Sequence, residues 1–366
     1  MKRQSLYIFA LSVLALAGCQ KNGFDAVSDG DECIVKFAPS VGGIGNMTRG
    51  TLFNTTGAEK ALTEITEFTV SAWDNSATPV NIIPTGSKVV YRTPADQAPY
   101  WITVFGSGTH AGKDQEYLWK KGETKKFYAY ANLPTTDDAA SVTNTAASQV
   151  LTYNVSLIQT DDLQTDILMA YYTNTTPATS GLVPLTFYHP LTSVLFKQSA
   201  TFQEGVSVKE ISIVGVYPSG KTEQSSATSV FNWTKTGGSA LTAADATQTV
   251  NLSTVTVDPD TKQIGTALLL IPQDFDADSE SYIKVVLKDA ADDSKTLDLY
   301  YLLNTNIGAA ESPAYSSWKA GCATTYTIKF NGSGLSIDGP DEYNGSPLGG
   351  GTFGLGQNPY DDGGTL

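Results

Sequence analysis

"KFYAYANL", Lys126 to Leu133, is the stretch whose side-chain order decides the fold. Phe127, Ala129 and Ala131 fall on one side of an extended chain, and Tyr128 and Tyr130 fall on the other. That period of two belongs to a β-strand, because successive side chains of a strand point to opposite faces. The same order recurs upstream in "EFTVSAW" (Glu67 to Trp73), where Phe68, Val70 and Ala72 share a face. Further short β-type segments are "SKVVYR" from Ser87, "YWITVF" from Tyr100, "QVLTYNV" from Gln149, "DILMAYY" from Asp166 and "VPLTFYH" from Val183. Turn-rich intervals such as "DNSATP" separate them.

A second series begins at "TSVLFKQSATF" (Thr192 to Phe202) and continues with "VSVKEISIVGVY", "VFNW", "TQTVNL" and "IGTALLLIP". It closes with "SYIKVVLK", "KTLDLYYLL" and "TTYTIKF" (Thr324 to Phe330). So many short strands predict an all-β chain with enough strands for two β-sandwich domains in tandem, over residues 50–190 and 191–338. Only "AEKALTEI" (Ala58 to Ile65) has the pattern of a short helix. Residues 339–366, rich in Gly and Pro, read as a flexible tail. Its few apolar residues include Leu348, Phe353 and Leu355, and the last two would share a face if extended.

The N-terminus sets the compartment. Met1-Lys2-Arg3 is basic, "LYIFALSVLAL" is an apolar run too short for a membrane span, and "LAGC" ends it at Cys19. That order is a secretory signal over residues 1–18, and Leu-Ala-Gly-Cys resembles the bacterial lipobox. The resemblance implies cleavage before Cys19, acylation of its sulfur and tethering to a membrane. Gln20 stands where an Asp would resemble an inner-membrane retention signal, which favours the outer membrane.

The formal charge of −14 argues against nucleic acid and against adsorption to anionic lipid. With Cys19 lipidated, Cys33 and Cys322 remain. They read as two free thiols, with a disulfide between them as the alternative. There are two histidines, His110 and His189, and neither accompanies a nucleophile elbow or an HExxH motif. Nothing points to an enzyme or a cofactor. "FGSGTHAG" after "YWITV" has glycines one residue off dinucleotide spacing and reads as a hairpin loop. Asp274, Asp276 and Asp278 alternate as in the first half of a calcium loop. The sixth position is Ser279 and the twelfth Val285, so they form a weak metal candidate beside a solvated turn. Aromatics at alternating positions read as core before they read as a glycan platform.

One basic residue stands out. Arg49, in "GGIGNMTRGTLF" (Gly42 to Phe53), is one of three arginines, with Arg3 and Arg92. It follows "ECIVKFA" (Glu32 to Ala38), a β segment with Cys33, Val35 and Phe37 on one face. Taken in order, the lipobox, "IVKFAPSVGGIGNMTRGT", "FYAYANLP", "DILMAYY", "VPLTFYHPLTSVLFK", "ALLLIPQ" and "WKAGCATTYTIKF" resemble the fimbrillin family of Bacteroidetes, subunits of type V pili.

The resemblance implies two transthyretin-like β-sandwich domains and delivery to the outer membrane through lipid on Cys19. It implies cleavage by an Arg-specific protease between Arg49 and Gly50. Residues 19–49 would then be a prosegment whose plug strand, with Cys33, Val35 and Phe37, leaves a groove for a strand from another pilus subunit. Leu348, Phe353 and Leu355 mark a candidate donor segment. Five glycines between Gly349 and Gly356 make it a poor strand former. A permanently lipid-anchored surface protein, either a pilus anchor or a glycan-binding lipoprotein, stays open as the alternative.

Overall fold

A computed structural model of the chain describes residues 32–41, 52–53, 59–60, 67–96, 100–120, 122–134, 139–154, 166–174, 181–227, 231–236, 249–252, 255–275, 281–303, 317–330 and 335–342. All regular secondary structure among the described residues is β.

The strands of the first series close on themselves. β2 (Lys36–Val41), β5 (Glu67–Asp74), β6 (Asn81–Arg92), β7 (Tyr100–Val104), β9 (Lys125–Ala131), β12 (Leu168–Asn174) and β13 (Leu182–Tyr188) form a barrel in the order β12-β13-β2-β7-β6-β5-β9. The inward positions carry the expected alternation: Phe68, Val70 and Ala72 from β5, Phe127, Ala129 and Ala131 from β9, and Val183, Leu185 and Phe187 from β13. Beside the barrel, β1 (Glu32–Ile34) pairs with β8 (Leu118–Lys120), and β3 (Leu52–Phe53) pairs with β4 (Glu59–Lys60). Of the short helix expected over Ala58 to Ile65, Glu59–Lys60 is a strand, and the remaining residues lie outside the described ones. Two residues there satisfy their backbone groups across a hairpin instead of along a turn of helix.

The second series builds two facing sheets. One has the order β19-β14-β24-β25, from β14 (Thr192–Gln198), β19 (Gln263–Leu270), β24 (Ala323–Phe330) and β25 (Leu335–Glu342). The other has the order β18-β15-β21-β22, from β15 (Val206–Val214), β18 (Thr249–Asn251), β21 (Tyr282–Asp289) and β22 (Thr296–Leu302). Val194, Phe196, Leu268 and Ile328 of the first and Ile211, Ile213, Ile283 and Val285 of the second share one hydrophobic cluster, as in a sandwich. β20 (Gln273–Asp274) and β23 (Ser317–Trp318) form a short added pair. β25 continues past residue 338, and its register on β24 shifts between Thr325 and Thr327, opposite Gly339-Pro340. A proline and a bulge are tolerated there because β25 is an edge strand.

A further sheet joins the two series. β10 (Ala140–Asn144) and β11 (Gln149–Asn154) pair through β11 with β16 (Ser219–Gln224), which carries β17 (Trp233–Thr236) on its other side. Leu151 and Tyr153 of this hairpin bury into the cluster of the second series, and the Tyr153 hydroxyl donates to the Leu269 carbonyl at 3.0 Å. Asn144 donates to Ser71 of β5 at 2.6 Å, and Gln149 donates to the Ala129 carbonyl of β9 at 3.1 Å. The hairpin thus spans from the barrel wall to the sandwich core. It also explains why Tyr128, on the expected outer face of β9, is buried. Tyr128 packs on Trp73 and Tyr171, with Ala146 of the hairpin turn against them.

Candidate functional site

The site is the channel held by Glu32–Val41, which runs along β8 and then into the wall of the barrel. The chain enters along β8, with Cys33 opposite Trp119 and Ile34 opposite Leu118. The Glu32 carboxylate lies 3.1 Å from the Lys120 ammonium. At Val35 the chain leaves β8 and joins the barrel. The Val35 amide donates to the Tyr117 carbonyl at 2.8 Å, and the Lys36 amide donates to the Gly181 carbonyl at 3.1 Å. β2 then runs parallel to β13, from Lys36 opposite Leu182 to Val41 opposite Phe187. On its other side it meets β7 antiparallel, with Phe37 opposite Trp101. It lies between two strands that have no direct pairing with each other, so it closes the ring.

Val35 and Phe37 are each 2% exposed and belong to the barrel core. The Phe37 ring meets Phe68 edge-on at 5.7 Å between centroids and Phe127 at 6.3 Å, and Phe68 stands edge-on to Phe187 at 5.3 Å. Such pairs add to the hydrophobic gain of burial through their quadrupoles. Cys33, the third member of the expected face, is only half-buried, because the chain has not yet crossed into the barrel at that position. Lys36 points outward, with its ammonium 4.4 Å above the Tyr100 ring. Gly181 is the residue this crossing requires. Its φ is +65°, and a Cβ there would stand 2.2 Å from the Ile34 carbonyl oxygen.

Other singled-out residues fall as follows. Cys33 is half-buried on β1, and Cys322 is buried just before β24, its carbonyl accepting from the Ser193 amide at 2.9 Å and the Thr192 hydroxyl at 3.1 Å. "FGSGTHAG" is a hairpin loop, closed by the Gly112 amide donating to the Phe105 carbonyl at 2.8 Å. His110 rests on the Phe105 ring, while His189 is buried with its Nδ1 2.8 Å from an Asp166 carboxylate oxygen. Asp274 is exposed in β20 opposite Ser317. No group of three or more His, Cys, Asp or Glu gathers among the described residues. Cys19, Arg49, Gly50, Asp276, Asp278, Leu348, Phe353 and Leu355 lie outside the described residues.

Arg92 is engaged. It ends β6 opposite Tyr100, its Nε donates to Asp114 at 2.9 Å, and its Nη2 donates to the Gly112 carbonyl. The Tyr100 hydroxyl donates to the other oxygen of Asp114 at 3.1 Å. Partial burial and this bond to a carboxylate both raise the Tyr100 pKa.

A family described as Fimbrillin-like matches residues 53–340, most of the chain. The chain belongs to the fimbrillin-like family. Its match begins after β2 and ends within β25. A sequence search of curated proteins finds no match. Among solved structures, the chain is similar to a protein of Bacteroides ovatus provisionally assigned to cell adhesion, with 13% identity, 88% of this chain and 99% of that one covered, and a TM-score of 0.49. It is also similar to the tip fimbrial protein Mfa3 of Porphyromonas gingivalis with a C-terminal truncation, at 10% identity, 84% and 97% coverage and a TM-score of 0.40. A fimbrial assembly protein of Parabacteroides distasonis matches at 10% identity, 84% and 96% coverage and a TM-score of 0.38.

β8 and Gly181 are the parts of this site that sequence reading passed over. "LWK" is three residues long and offers one buried position, Trp119, so it carries no periodicity. Gly181 would have been legible only as a glycine immediately before "LVPLTFY".

Proposed function

We propose that this fimbrillin-like chain is a structural or accessory subunit of a type V pilus. It travels as a lipoprotein held to the outer membrane through Cys19. An Arg-specific protease cuts after Arg49, residues 19–49 leave with the lipid, and a strand from another subunit takes the place of β2. The two lobes serve as tandem transthyretin-like sandwiches over 50–190 and 191–338, and the assembled fibre lies at the cell surface and contributes to adhesion.

The observation that carries this reading is the seating of β2. A strand that precedes Arg49 in sequence closes the barrel between β13 and β7, with Val35 and Phe37 in its core. Withdrawing it would bare a strip of apolar side chains together with unpaired backbone groups on both neighbouring strands, and such an edge accepts an extended segment. The bonding of Arg92 supports selectivity. A trypsin-like enzyme needs an extended arginine with a free guanidinium, whereas Arg92 is paired with Tyr100 of β7 and bound to Asp114.

The test is digestion of the folded full-length chain with an Arg-specific protease, followed by N-terminal sequencing and electrophoresis under mild detergent. The expected product is a single body starting at Gly50 that forms ladders of oligomers once a second subunit supplying the strand is added, and Arg49→Ala abolishes both. An intact fold that resists cleavage at Arg49 would sink the processing step and leave the permanently anchored surface protein as the reading.

A further inference from the structure

We infer that the channel held by Glu32–Val41 selects its incoming strand at three positions, read in the direction of β2. These are an acidic residue, a compact aliphatic residue three places later, and an aromatic residue two places after that. The occupant is an extended segment of a different subunit carrying this pattern, and not the tail of a second copy of this chain. The inference rests on the strand-exchange reading above and adds the chemistry of the partner.

Direction comes from the two neighbours. β13 takes β2 in parallel over six register pairs, and β7 takes it antiparallel. A strand running the other way would have to reform both ladders with the opposite bonding pattern. The aromatic position is set by the slot of Phe37, which Phe68 and Phe127 line edge-on. A smaller side chain there leaves a cavity in a close-packed core. The aliphatic position is set by the crossing at Val35, where the backbone bonds to Tyr117 on one side and, one residue later, to Gly181 on the other. Gly181 presses against Ile34 and Cys33 closely enough to exclude even a Cβ, so the chain cannot swing outward to admit a ring at Val35. The acidic position faces Lys120 on β8, a strand whose ladder partner is β1. Lys120 is largely exposed, so this contact fixes register more than it adds affinity.

The tail of this chain does not fit that reading. In the direction of β2, Phe353-Gly354-Leu355 would put a ring where Val35 sits and leucine where Phe37 sits. Moved by two, it would put Phe353 in the aromatic slot and Gly351 in the aliphatic one. The first overfills one slot and underfills the other, and the second leaves the aliphatic slot empty.

Two experiments test the pattern. In the intact, uncut chain, the order swap Val35→Phe with Phe37→Val keeps composition constant. Amide exchange of Lys36, which donates to the Gly181 carbonyl, should accelerate at least about tenfold, while the milder Val35→Ile stays close to wild type. In chain cut after Arg49, labelled peptides of residues 32–41, of the swapped sequence and of residues 349–359 compete for the channel. The wild-type peptide should enter, the swapped one at least about tenfold more weakly, and the tail peptide not measurably. The proposal is overturned if the swap leaves exchange unchanged, if the tail peptide enters as well as the plug peptide, or if no peptide enters. Should Arg49 resist the protease, a specific cleavage site built into residues 42–48 opens the same chain. Peptide discrimination there would sustain the pattern while the processing reading falls.

Discussion

Replacing Phe37 by alanine in the uncut chain removes the ring that fills the centre of the barrel beneath β2. Phe37 is 2% exposed and stands edge-on to Phe68 and Phe127. Burying a Phe side chain removes roughly 150–250 Å² from water. At about 25 cal/mol per Å² this amounts to roughly 4–6 kcal/mol, an upper bound because unfolded chains already bury part of that area. Phe→Ala series in packed cores give about 3–5 kcal/mol, so a loss of about 4 kcal/mol is the expectation. Urea unfolding followed by tryptophan fluorescence measures it, since Trp73, Trp101 and Trp119 all lie in the barrel lobe. Ser40→Ala is the control. Ser40 is exposed and donates only a 3.3 Å bond to Thr186, so its loss should stay within about 0.5 kcal/mol. After cleavage at Arg49, the same change should speed release of the plug by about 100- to 1000-fold, because each 1.4 kcal/mol is a factor of ten. A loss below about 1 kcal/mol with an unchanged denaturant slope would refute the reasoning, since β2 would then lie outside the cooperative core.

Gly181 and Gly112 separate steric from conformational effects. Both have positive φ, but a Cβ at Gly112 meets nothing within 4 Å, whereas one at Gly181 strikes the Ile34 carbonyl. Gly112→Ala should cost about 1 kcal/mol in thermal unfolding and Gly181→Ala clearly more, and equal costs would contradict the seating of β2. Asp114→Ala removes the carboxylate that holds the Arg92 guanidinium, leaving only its bond to the Gly112 carbonyl. Prolonged Arg-specific digestion should then add a fragment beginning at Thr93, which the wild-type chain does not give under the same conditions. Burial raises the pKa of Tyr128 and of Tyr153 above the free value. The folded chain therefore keeps protons that the unfolded chain releases, and stability is full below about pH 10 and falls as pH rises above it. Phenolate absorbance should show these two tyrosines ionising together with unfolding, and ionisation in the native state near the free value would contradict their burial.

Much of the strand pattern was legible because alternation is a local property. "EFTVSAW", "KFYAYANL" and "TTYTIKF" each show their buried face in the order of residues alone. β16 was missed because its inward positions are Gly220, Thr222 and Gln224, which hydropathy does not register. Thr222 is satisfied by the Asn232 carbonyl, and Gln224 accepts from Gln149 of another hairpin. "VFNW" placed a strand ahead of Trp233, yet β17 runs from Trp233 to Thr236, because its register is set by pairing with β16 and not by its own apolar residues. Of the site, Val35 and Phe37 were legible as one face, while Cys33 departed from it where the strand changes partners.

The sequence by itself determined the all-β class, the apolar face of the segment before Arg49, and the scarcity of arginine that makes Arg49 conspicuous. These follow from side-chain period and composition, which any short window carries. Only the tertiary structure decided that this segment closes a barrel. Lys36 and Leu182 are remote in sequence, and their pairing is chosen by which edges β13 and β7 leave open. It also decided that Gly181 guards the crossing, that Asp114 holds Arg92, and that one hairpin ties the barrel to the sandwich. Each is a contact between distant segments, fixed by close packing and by the need to satisfy buried backbone groups, and no local pattern encodes it.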